Sequence, residues 1–392
     1  MNETDNMGEN FSEETEETEE TLEQTDKKCP QCGGTLDFNP ATGELICTYC
    51  NATVDIEDDE QARAKELDFR EAENGASRDW GAQTRTVICK NCGAETVYDA
   101  ETVSGECPYC GSNQVMEAGG EDVMAPGGVC PFTVTNETAY GCFSKWLKGK
   151  IFCPSAAKKA AKAGKMSGIY LPYWTFDAQT HSNYTARYGK ERTVRRGKET
   201  KVVIHWYNTR GSYDCFINDE LICASVNHDK AMLESIEPFD TEQNLEYKPE
   251  YLAGFASERY TVGLSDAWVQ AQDEMRDKIA GDIREKISRQ YHTNHVDSIR
   301  FHTNYSGVTY KYLLLPVWLS SFNYKGKNYR FMVNGRTGRV GGKYPVSPWR
   351  VAIAVLLGLG LAALFAYIFM YGEADVAEVY IRNAESYFML TM

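Results

Sequence analysis

Apolar residues recur at intervals of three and four in two stretches of the chain, the pattern of a helix with one buried face. In the first stretch, 136–149, Gly149 is placed to end the helix, and the repeated positions are Ala139, Cys142, Phe143, Trp146 and Leu147. In the second, 265–290, Ser265 is a candidate cap, and the repeated positions are Trp268, Met275, Ile279, Ile283 and Ile287. A shorter helix is predicted to start at Ser155. Both long stripes are expected to face a core.

The remaining middle of the chain is rich in Tyr, Val, Thr and Trp, in short alternations that predict antiparallel strands. Examples are "KVVIHWYN" at 201–208 and "KNYRFMVNG" at 327–335, where Asn334-Gly335 fits a tight turn. A weak internal repeat relates "YLPYWTF" at 170–176 to "LLPVWLS" at 314–320, as two copies of a β unit would. Residues 125–345 are therefore predicted to form an α+β antiparallel domain.

One segment near the end has no polar face at all. Residues 351–371 are uncharged, and as a helix they would extend about 31 Å, the thickness of the hydrocarbon layer of a bilayer. Basic residues precede the segment, and mainly acidic residues follow it, so the positive-inside rule places the N-terminal bulk in the cytoplasm. The sequence thus predicts a single-pass cell-membrane protein with an extracytoplasmic tail at 372–392.

Cysteine pairs occur twice in the same spacing, Cys-x2-Cys followed after fourteen residues by Cys-x2-Cys. Such a pair of pairs can surround one tetrahedral metal ion, so each unit predicts a small β zinc ribbon. The ribbons are placed at 29–56 and 85–118. The predicted ligands are Cys29, Cys32, Cys47 and Cys50 in the first ribbon, and Cys89, Cys92, Cys107 and Cys110 in the second.

A closed site of four thiolates has no open coordination position, which makes both predicted Zn²⁺ ions structural. Iron in the same cage is the competing metal, and a redox or metal sensor is a further reading of the thiolates. The other cysteines, which show no ligand spacing, are expected to be unpaired thiols in a reducing compartment, and they are Cys130, Cys142, Cys153, Cys215 and Cys223.

Charge is distributed very unevenly along the chain. Residues 1–28 carry eleven acidic and two basic residues out of a net charge of −15, and they are predicted to be a disordered acidic tail. Residues 57–84, between the ribbons, are predicted to be a charged helical linker. Residues 138–201 carry fourteen basic residues against three acidic ones, a net charge of +11.

This basic segment is a candidate contact with the anionic cytoplasmic leaflet, next to which the C-terminal span would hold it. Solvated faces and pairing with the acidic tail are the alternatives. The candidate membrane-surface residues are Lys145, Lys148, Lys150, Lys158, Lys159, Lys162, Lys165, Arg195 and Arg196.

Nucleic-acid binding is a further option, because zinc ribbons occur in replication and transcription proteins. However, the side chains of the first ribbon carry a charge of −2 and those of the second −3, and each Zn(Cys)₄ centre would add two negative charges. Acidic ribbons repel a phosphate backbone.

Catalytic motifs are not found. A phosphate-binding loop would need Lys followed by Ser or Thr, whereas Lys165 and Lys343 precede Met and Tyr. The chain is therefore expected not to be an enzyme, and an ATP-driven helicase in particular is disfavoured.

The order of these parts resembles the YdjG-like family of bacterial zinc-ribbon membrane proteins. The resemblance rests on "CPYCGS", "PFTVTNETAYGCFSKWLKGKIFCP", "GIYLPYWTFD", "LLLPVWLSSFNYKGKNYRFMVNGRTGRV" and a span directly after "YPVSPWR". Relatives often carry primosomal or helicase-like labels. The resemblance implies a membrane adaptor in an envelope-stress response, with phage-shock protein A-type or flotillin-like partners. It also implies the eight ribbon cysteines as zinc ligands and no catalytic residues.

Taken together, the sequence predicts a multidomain, non-enzymatic scaffold with two ribbons, an α+β domain and one transmembrane helix. A homo-oligomer is compatible with small residues in the span. The alternative is a membrane-tethered zinc-ribbon protein that binds nucleic acid.

Overall fold

Strands predominate in the computed structural model, which describes residues 28–56, 62–72, 84–89, 95–99, 115–117, 124–161, 166–196 and 199–389. The strands are β1 (Leu36–Phe38), β2 (Leu45–Cys47), β3 (Thr53–Val54), β4 (Leu67–Asp68), β5 (Thr84–Cys89), β6 (Glu95–Asp99), β7 (Val115–Glu117), β8 (Gly128–Val129), β9 (Ser167–Arg196), β10 (Glu199–Cys223), β11 (Leu245–Glu246), β12 (Ala256–Ser257), β13 (His295–Tyr324), β14 (Lys327–Asn334) and β15 (Val340–Gly342). The α-helices are α1 (Asn136–Gly149), α2 (Ser155–Ala160), α3 (Lys230–Glu234), α4 (Leu264–Tyr291) and α5 (Pro348–Met389). Short 3-10 helices occur at Phe69–Glu71, Thr241–Gln243 and Pro249–Leu252.

Three unusually long strands form the middle of the large sheet. β9 and β13 have 30 residues each and β10 has 25. β9 lies between β10 and β13 and pairs antiparallel with both, and β14 pairs with the other edge of β13. Side chains 181–187 of β9 alternate between exposed and buried, whereas 169–178 are all buried. Since successive side chains of a strand point to opposite faces, the first region is covered on one face and the second on both.

Helix α4 covers the region of alternating burial. Tyr184 and Ala186 of β9 form a buried cluster with Ile279, Ile283 and Ile287 of the helix. This confirms the predicted core-facing stripe. The helix begins after Gly263, so Ser265 lies within the first turn and does not cap it, contrary to the prediction.

Helix α1 has the predicted bounds and packs against β14. The hydroxyl of Thr135 accepts a hydrogen bond of 3.3 Å from the backbone N–H of Thr138, which caps the helix start. The Phe143 ring stacks on Phe331 with centroids 3.6 Å apart. α2 begins at Ser155, also as predicted.

The two Leu-Pro-x-Trp segments lie side by side on β9 and β13. Leu171 is directly opposite Leu315, and the pairs Pro172–Leu314 and Tyr170–Pro316 lie on either side. This register relates the two segments by a local two-fold axis through the leucine pair. Each segment continues into a hairpin, β9–β10 or β13–β14. The weak repeat in the sequence thus corresponds to two adjacent hairpins in equivalent positions of the sheet, although β14 is much shorter than β10.

The indole groups of the two segments make matching interactions. Trp174 donates a hydrogen bond of 2.9 Å from Nε1 to the carbonyl oxygen of Val262, and Trp318 donates one of 2.8 Å to that of Val134. Both tryptophans are buried. Each therefore joins the sheet to a segment packed against it.

The linker between the predicted ribbons is described at 62–72 and at its last residue, Thr84. Residues 62–72 contain the two-residue strand β4, paired with β13, and one 3-10 turn. This part is thus extended against the sheet and lacks the predicted α-helix, because β4 takes its backbone hydrogen bonds from β13. The rest of the linker and the acidic tail, except Lys28, lie outside the described residues.

One helix in the described part of the chain is long and apolar enough to span a membrane. It is Pro348–Tyr367, with a mean hydropathy of 2.1 and none of its residues buried. α5 continues without a break to Met389, through the end of the predicted span and into the predicted tail.

Candidate metal centre and membrane anchor

The first cysteine unit folds into two turns with the same backbone geometry. The carbonyl oxygen of Cys29 accepts a hydrogen bond of 2.8 Å from the backbone N–H of Gly33, four residues later. The carbonyl oxygen of Cys47 accepts one of 3.0 Å from the backbone N–H of Asn51 in the same way. Gly33 and Asn51 both have positive φ, 73° and 57°. A left-handed residue after each Cys-x2-Cys pair closes the turn, and glycine and asparagine tolerate this conformation best.

The two turns bring four sulfur atoms together. All four ligand atoms lie within 4.8 Å of one another, and they belong to Cys29, Cys32, Cys47 and Cys50. Cys29 Sγ is 3.5 Å from Cys50 Sγ, and Cys32 Sγ is 3.5 Å from Cys47 Sγ. A zinc ion with bonds of about 2.3 Å needs sulfur atoms about 3.8 Å apart in a tetrahedron. The four residues therefore fit a metal ion and could bind one.

The surroundings of one sulfur favour the thiolate that a metal requires. Hydrogen bonding from the backbone N–H of Cys50 lowers the pKa of Cys47 to about 6, against the opposing effect of burial. Cys47 is also fully buried in the ribbon. Against an opposing backbone hydrogen bond, the neighbouring thiols Cys32 and Cys29 raise the pKa of Cys50 to about 12, so a metal ion would have to displace protons from other members of the cluster.

This cysteine cluster is attached to the α+β domain. Phe38 of β1 donates a backbone hydrogen bond of 3.0 Å to Ala253 O, and its ring meets Tyr251 edge-on at 5.6 Å. Leu36 and Leu45 belong to the same buried cluster as the core of the domain. The metal site would therefore fix the loops of a unit whose apolar side is supplied by the large domain.

The second predicted ribbon lies mostly outside the described residues. Cys89 is the last residue of β5, and Cys92, Cys107 and Cys110 fall in the undescribed segments. The second metal site remains a prediction from sequence.

The five remaining cysteines are all free thiols. Cys130 and Cys153 are buried, and the others are partly exposed. Burial raises the pKa of Cys130 and of Cys223 to about 12, which keeps both thiols protonated and unreactive. This agrees with their predicted role as ordinary core residues.

The apolar helix is fastened to the domain at its first turn. Arg350 donates hydrogen bonds to the carbonyl oxygens of Ile151 and Cys153, at 2.9 and 2.8 Å, and to Ser155 Oγ at 2.7 Å. Ser347 N donates to Phe152 O at 2.9 Å. Loop 150–154 thus lies beside the start of α5.

This junction carries exposed apolar side chains. Ile151 is 76% exposed and Trp349 is 74% exposed, and Phe152 and Val346 are exposed beside them. Among them, Trp349 is of a residue type enriched at the interface between a membrane and water.

The predicted membrane-surface residues fall into two separate groups. Lys145, Lys148 and Lys150 lie on or just after α1, and Lys158 and Lys159 lie on α2, close to the start of α5. Arg195 and Arg196 lie at the far end of β9, 28 and 29 residues after Ser167. Lys162 and Lys165 lie outside the described residues. The contact of both groups with the membrane surface stays a prediction from sequence.

A buried ionic network was missed in the sequence. Lys311 Nζ lies 2.7 Å from Asp219 Oδ1, 3.4 Å from Glu66 Oε1 and 3.9 Å from Asp177 Oδ2. Burial raises the pKa of Asp177 to about 6. The available signal was one charged residue in each of two otherwise uncharged stretches, "TFDAQ" and "TYKYLLL".

A second missed group surrounds the carboxylate of Glu258. It accepts hydrogen bonds from Ser225 Oγ and Asn227 Nδ2, both at 2.6 Å, and lies 2.8 Å from His228 Nε2. Burial alone would raise the pKa of Glu258, but these hydrogen bonds outweigh it and hold the pKa below its usual value. The residues come from separate loops, so no sequence spacing reveals the group.

No protein-family model matches the chain, and no solved structure matches it. Among curated proteins, the chain is similar to the uncharacterized protein YdjG of Bacillus subtilis (strain 168). The two are 27% identical over 325 residues, which cover 83% of this chain and 91% of the relative. The alignment extends along most of both chains, so this protein has a distant homologue in YdjG.

Proposed function

We propose that the protein is a non-enzymatic, membrane-anchored scaffold whose zinc ribbons and α+β domain hold a protein partner at the cytoplasmic face. The observation that carries this proposal is the attachment of both the cysteine cluster and the apolar helix to one domain, through Phe38–Ala253 and Arg350–Cys153. A metal-fixed surface would in this way be held at a set position relative to the bilayer.

Two structural Zn²⁺ ions are part of the proposal, one in each ribbon. The first is supported by the four sulfur atoms that lie within 4.8 Å of one another. The second is supported by the repeated spacing of the cysteines in the sequence. The cytoplasmic location rests on the basic residues before the apolar helix.

The partner class follows from the resemblance to the YdjG-like family. We propose a phage-shock protein A-type or flotillin-like protein and a role in envelope stress. The acidic first ribbon favours a protein over nucleic acid as the partner.

Binding to reconstituted proteoliposomes tests the scaffold proposal. The full chain is placed in phosphatidylcholine liposomes, and a purified phage-shock protein A-type protein is added and sedimented with them. We expect sedimentation only with the chain present, and its loss in Cys47→Ser but not in Cys142→Ser. Equal sedimentation with empty liposomes, or equal binding by both variants, would contradict the proposal.

Nucleic-acid binding is the alternative, and one feature of the structure favours it. Along the last third of the β9–β10 hairpin, basic and aromatic side chains are exposed, including Arg192, Arg195, Trp206 and Tyr207. Such surfaces can contact phosphates and stack on bases. Salt-dependent DNA binding by the full chain, lost in an Arg192→Glu, Arg195→Glu variant, would support this alternative over the scaffold.

A further inference from the structure

A cavity of about 320 Å³ opens beside the β13–β14 hairpin. Segment 227–232 and Lys343, which follows β15, form its other walls. Its volume lies at the lower end of the range for small-molecule sites. None of the residues of the cysteine cluster lines it, so it is separate from the metal centre.

The floor of the cavity is apolar. Met232, Leu319 and Met332 line it, and each is at least nine-tenths buried. The floor belongs to the core of the domain and is therefore present before any ligand arrives. It would accept a short apolar group.

The walls carry an excess of positive charge. Lys327, Arg330 and Lys343 line the cavity together with a single carboxylate, that of Asp229. Lys343 Nζ pairs with Asp229 Oδ2 at 2.6 Å, and the exposed Arg330 makes no ion pair among the described residues. Arg330 is therefore available to a ligand, and a guanidinium prefers phosphate or carboxylate groups.

The wall formed by Asn227 and His228 is held in place by the buried carboxylate of Glu258. Its carboxylate bonds Asn227 and His228, which line the cavity, and also Ser225. The side chains of Glu258 and His228 are 0% and 2% exposed. Polar groups fixed in this way lose little conformational entropy when a ligand binds.

From the apolar floor, the cationic walls and this fixed wall, we propose that the cavity binds an amphipathic anion, a phosphate or carboxylate joined to a short apolar chain. The ligand could be the headgroup region of an anionic lipid or a free amphiphile. Lys343 precedes the first residue of α5 by five residues, at most about 17 Å of extended chain. The lipid source is therefore within reach, and the inference requires neither metal nor a partner protein.

Hexyl phosphate tests the proposal with the full chain in phosphatidylcholine nanodiscs. We expect saturable binding by calorimetry, with inorganic phosphate and hexanol each binding at least about tenfold more weakly, because each lacks one half of the recognition. Affinity should rise about three- to fourfold per methylene from butyl to hexyl phosphate, as burial on an apolar floor predicts. Absence of saturable binding, or no dependence on chain length, would overturn the proposal.

Variants locate the site. Arg330→Gln, an exposed position, should weaken hexyl phosphate binding about tenfold through loss of a charge-assisted hydrogen bond. Lys325→Gln removes a positive charge from the turn of the same hairpin, outside the cavity, and should leave affinity unchanged. Equal weakening by both variants would show nonspecific attraction and reject the site.

Nanodiscs containing phosphatidylglycerol distinguish the two sources. If a leaflet lipid occupies the cavity, the apparent affinity for hexyl phosphate should fall about tenfold relative to phosphatidylcholine nanodiscs, by competition. An unchanged affinity identifies a ligand from solution. Both results support the anion site and assign its source.

Discussion

The guanidinium of Arg350 donates a hydrogen bond of 2.8 Å to the carbonyl oxygen of Cys153, a fully buried residue of the domain core. The first turn of the apolar helix is thereby joined directly to the domain. Two further hydrogen bonds from the same side chain, to Ile151 and Ser155, give the junction a fixed geometry.

Loss of this side chain should loosen the junction locally. For Arg350→Ala we expect the opening free energy of amides in loop 150–155 to fall by about 1–3 kcal/mol, because three hydrogen bonds from a charged donor are lost. Hydrogen exchange of the chain in detergent measures this. Arg210→Ala, at an exposed arginine of β10, is the control, and equal deprotection in both variants would contradict the prediction.

Metal content should follow the cysteine cluster. Cys47→Ser should lower bound zinc by one ion per chain, since serine cannot replace a buried thiolate ligand. Cys142→Ser, which removes a thiol elsewhere, should leave the content unchanged. Elemental analysis of the purified proteins decides this, and an unchanged metal content in Cys47→Ser would remove the first ribbon site.

Removal of the metal should destabilise part of the α+β domain as well as the first ribbon. Because Phe38 bonds to Ala253, we expect a chelator to increase hydrogen exchange both in β1–β2 and around residues 251–255. An effect confined to residues 28–56 would show that the two units are energetically independent.

The two matching tryptophans should make similar contributions to stability. Trp174→Phe and Trp318→Phe each leave a carbonyl oxygen without its indole donor, and each should lower the free energy of unfolding by about 1–3 kcal/mol. Trp349→Phe, at a position that is 74% exposed, should change it by less than about 0.5 kcal/mol in detergent. Denaturant titration compares the three, and a loss in only one of the core pair would contradict the equivalence of the hairpins.

Stability should depend on pH through Asp177. Burial raises the pKa of its carboxyl to about 6, so the folded protein retains a proton that the unfolded chain has already lost above about pH 4. The free energy of unfolding should therefore fall as pH rises from about 4 to 6, and this contribution is constant above that window.

Asp177→Asn should remove this dependence. The free energy of unfolding of the variant, relative to that of the parent, should rise by about 1–2 kcal/mol between pH 4 and pH 7. Denaturant titration at the two pH values measures this. The same substitution at the exposed Asp273 is the control. An equal gain in the control would assign the effect to overall charge.

Short-range patterns predicted helices α1, α2 and α4 and the cluster of four cysteines at 29–50. The stripe through Met275 and Ile283 needs only the helical period, and the cluster around Cys47 needs only the spacing of the cysteines. The antiparallel β class also followed from the alternating segments.

Contacts between residues far apart in the chain could not be predicted from the sequence in the same way. The ion pair of Lys311 with Asp219 and the pair of His228 with Glu258 join residues far apart in the chain, and their contacts depend on strand register. The repeated Leu-Pro-x-Trp segments indicated two similar units, but the direct opposition of Leu171 and Leu315 appears only when β9 and β13 are paired. The predicted start of α4 was wrong because serine is a favoured capping residue, whereas the helix begins after Gly263, which provides no side-chain cap.

The continuous length of β9 places the end of the β9–β10 hairpin far from the start of the strand. From Ser167 to Arg195 at the hairpin end is up to roughly 90 Å of strand at 3.3 Å per residue. A ligand bound at one end of β9 is therefore too far away to contact residues at the other end. A macromolecule bound at the hairpin end would therefore leave the first part of β9, where the two Leu-Pro-x-Trp segments pair, free of contact.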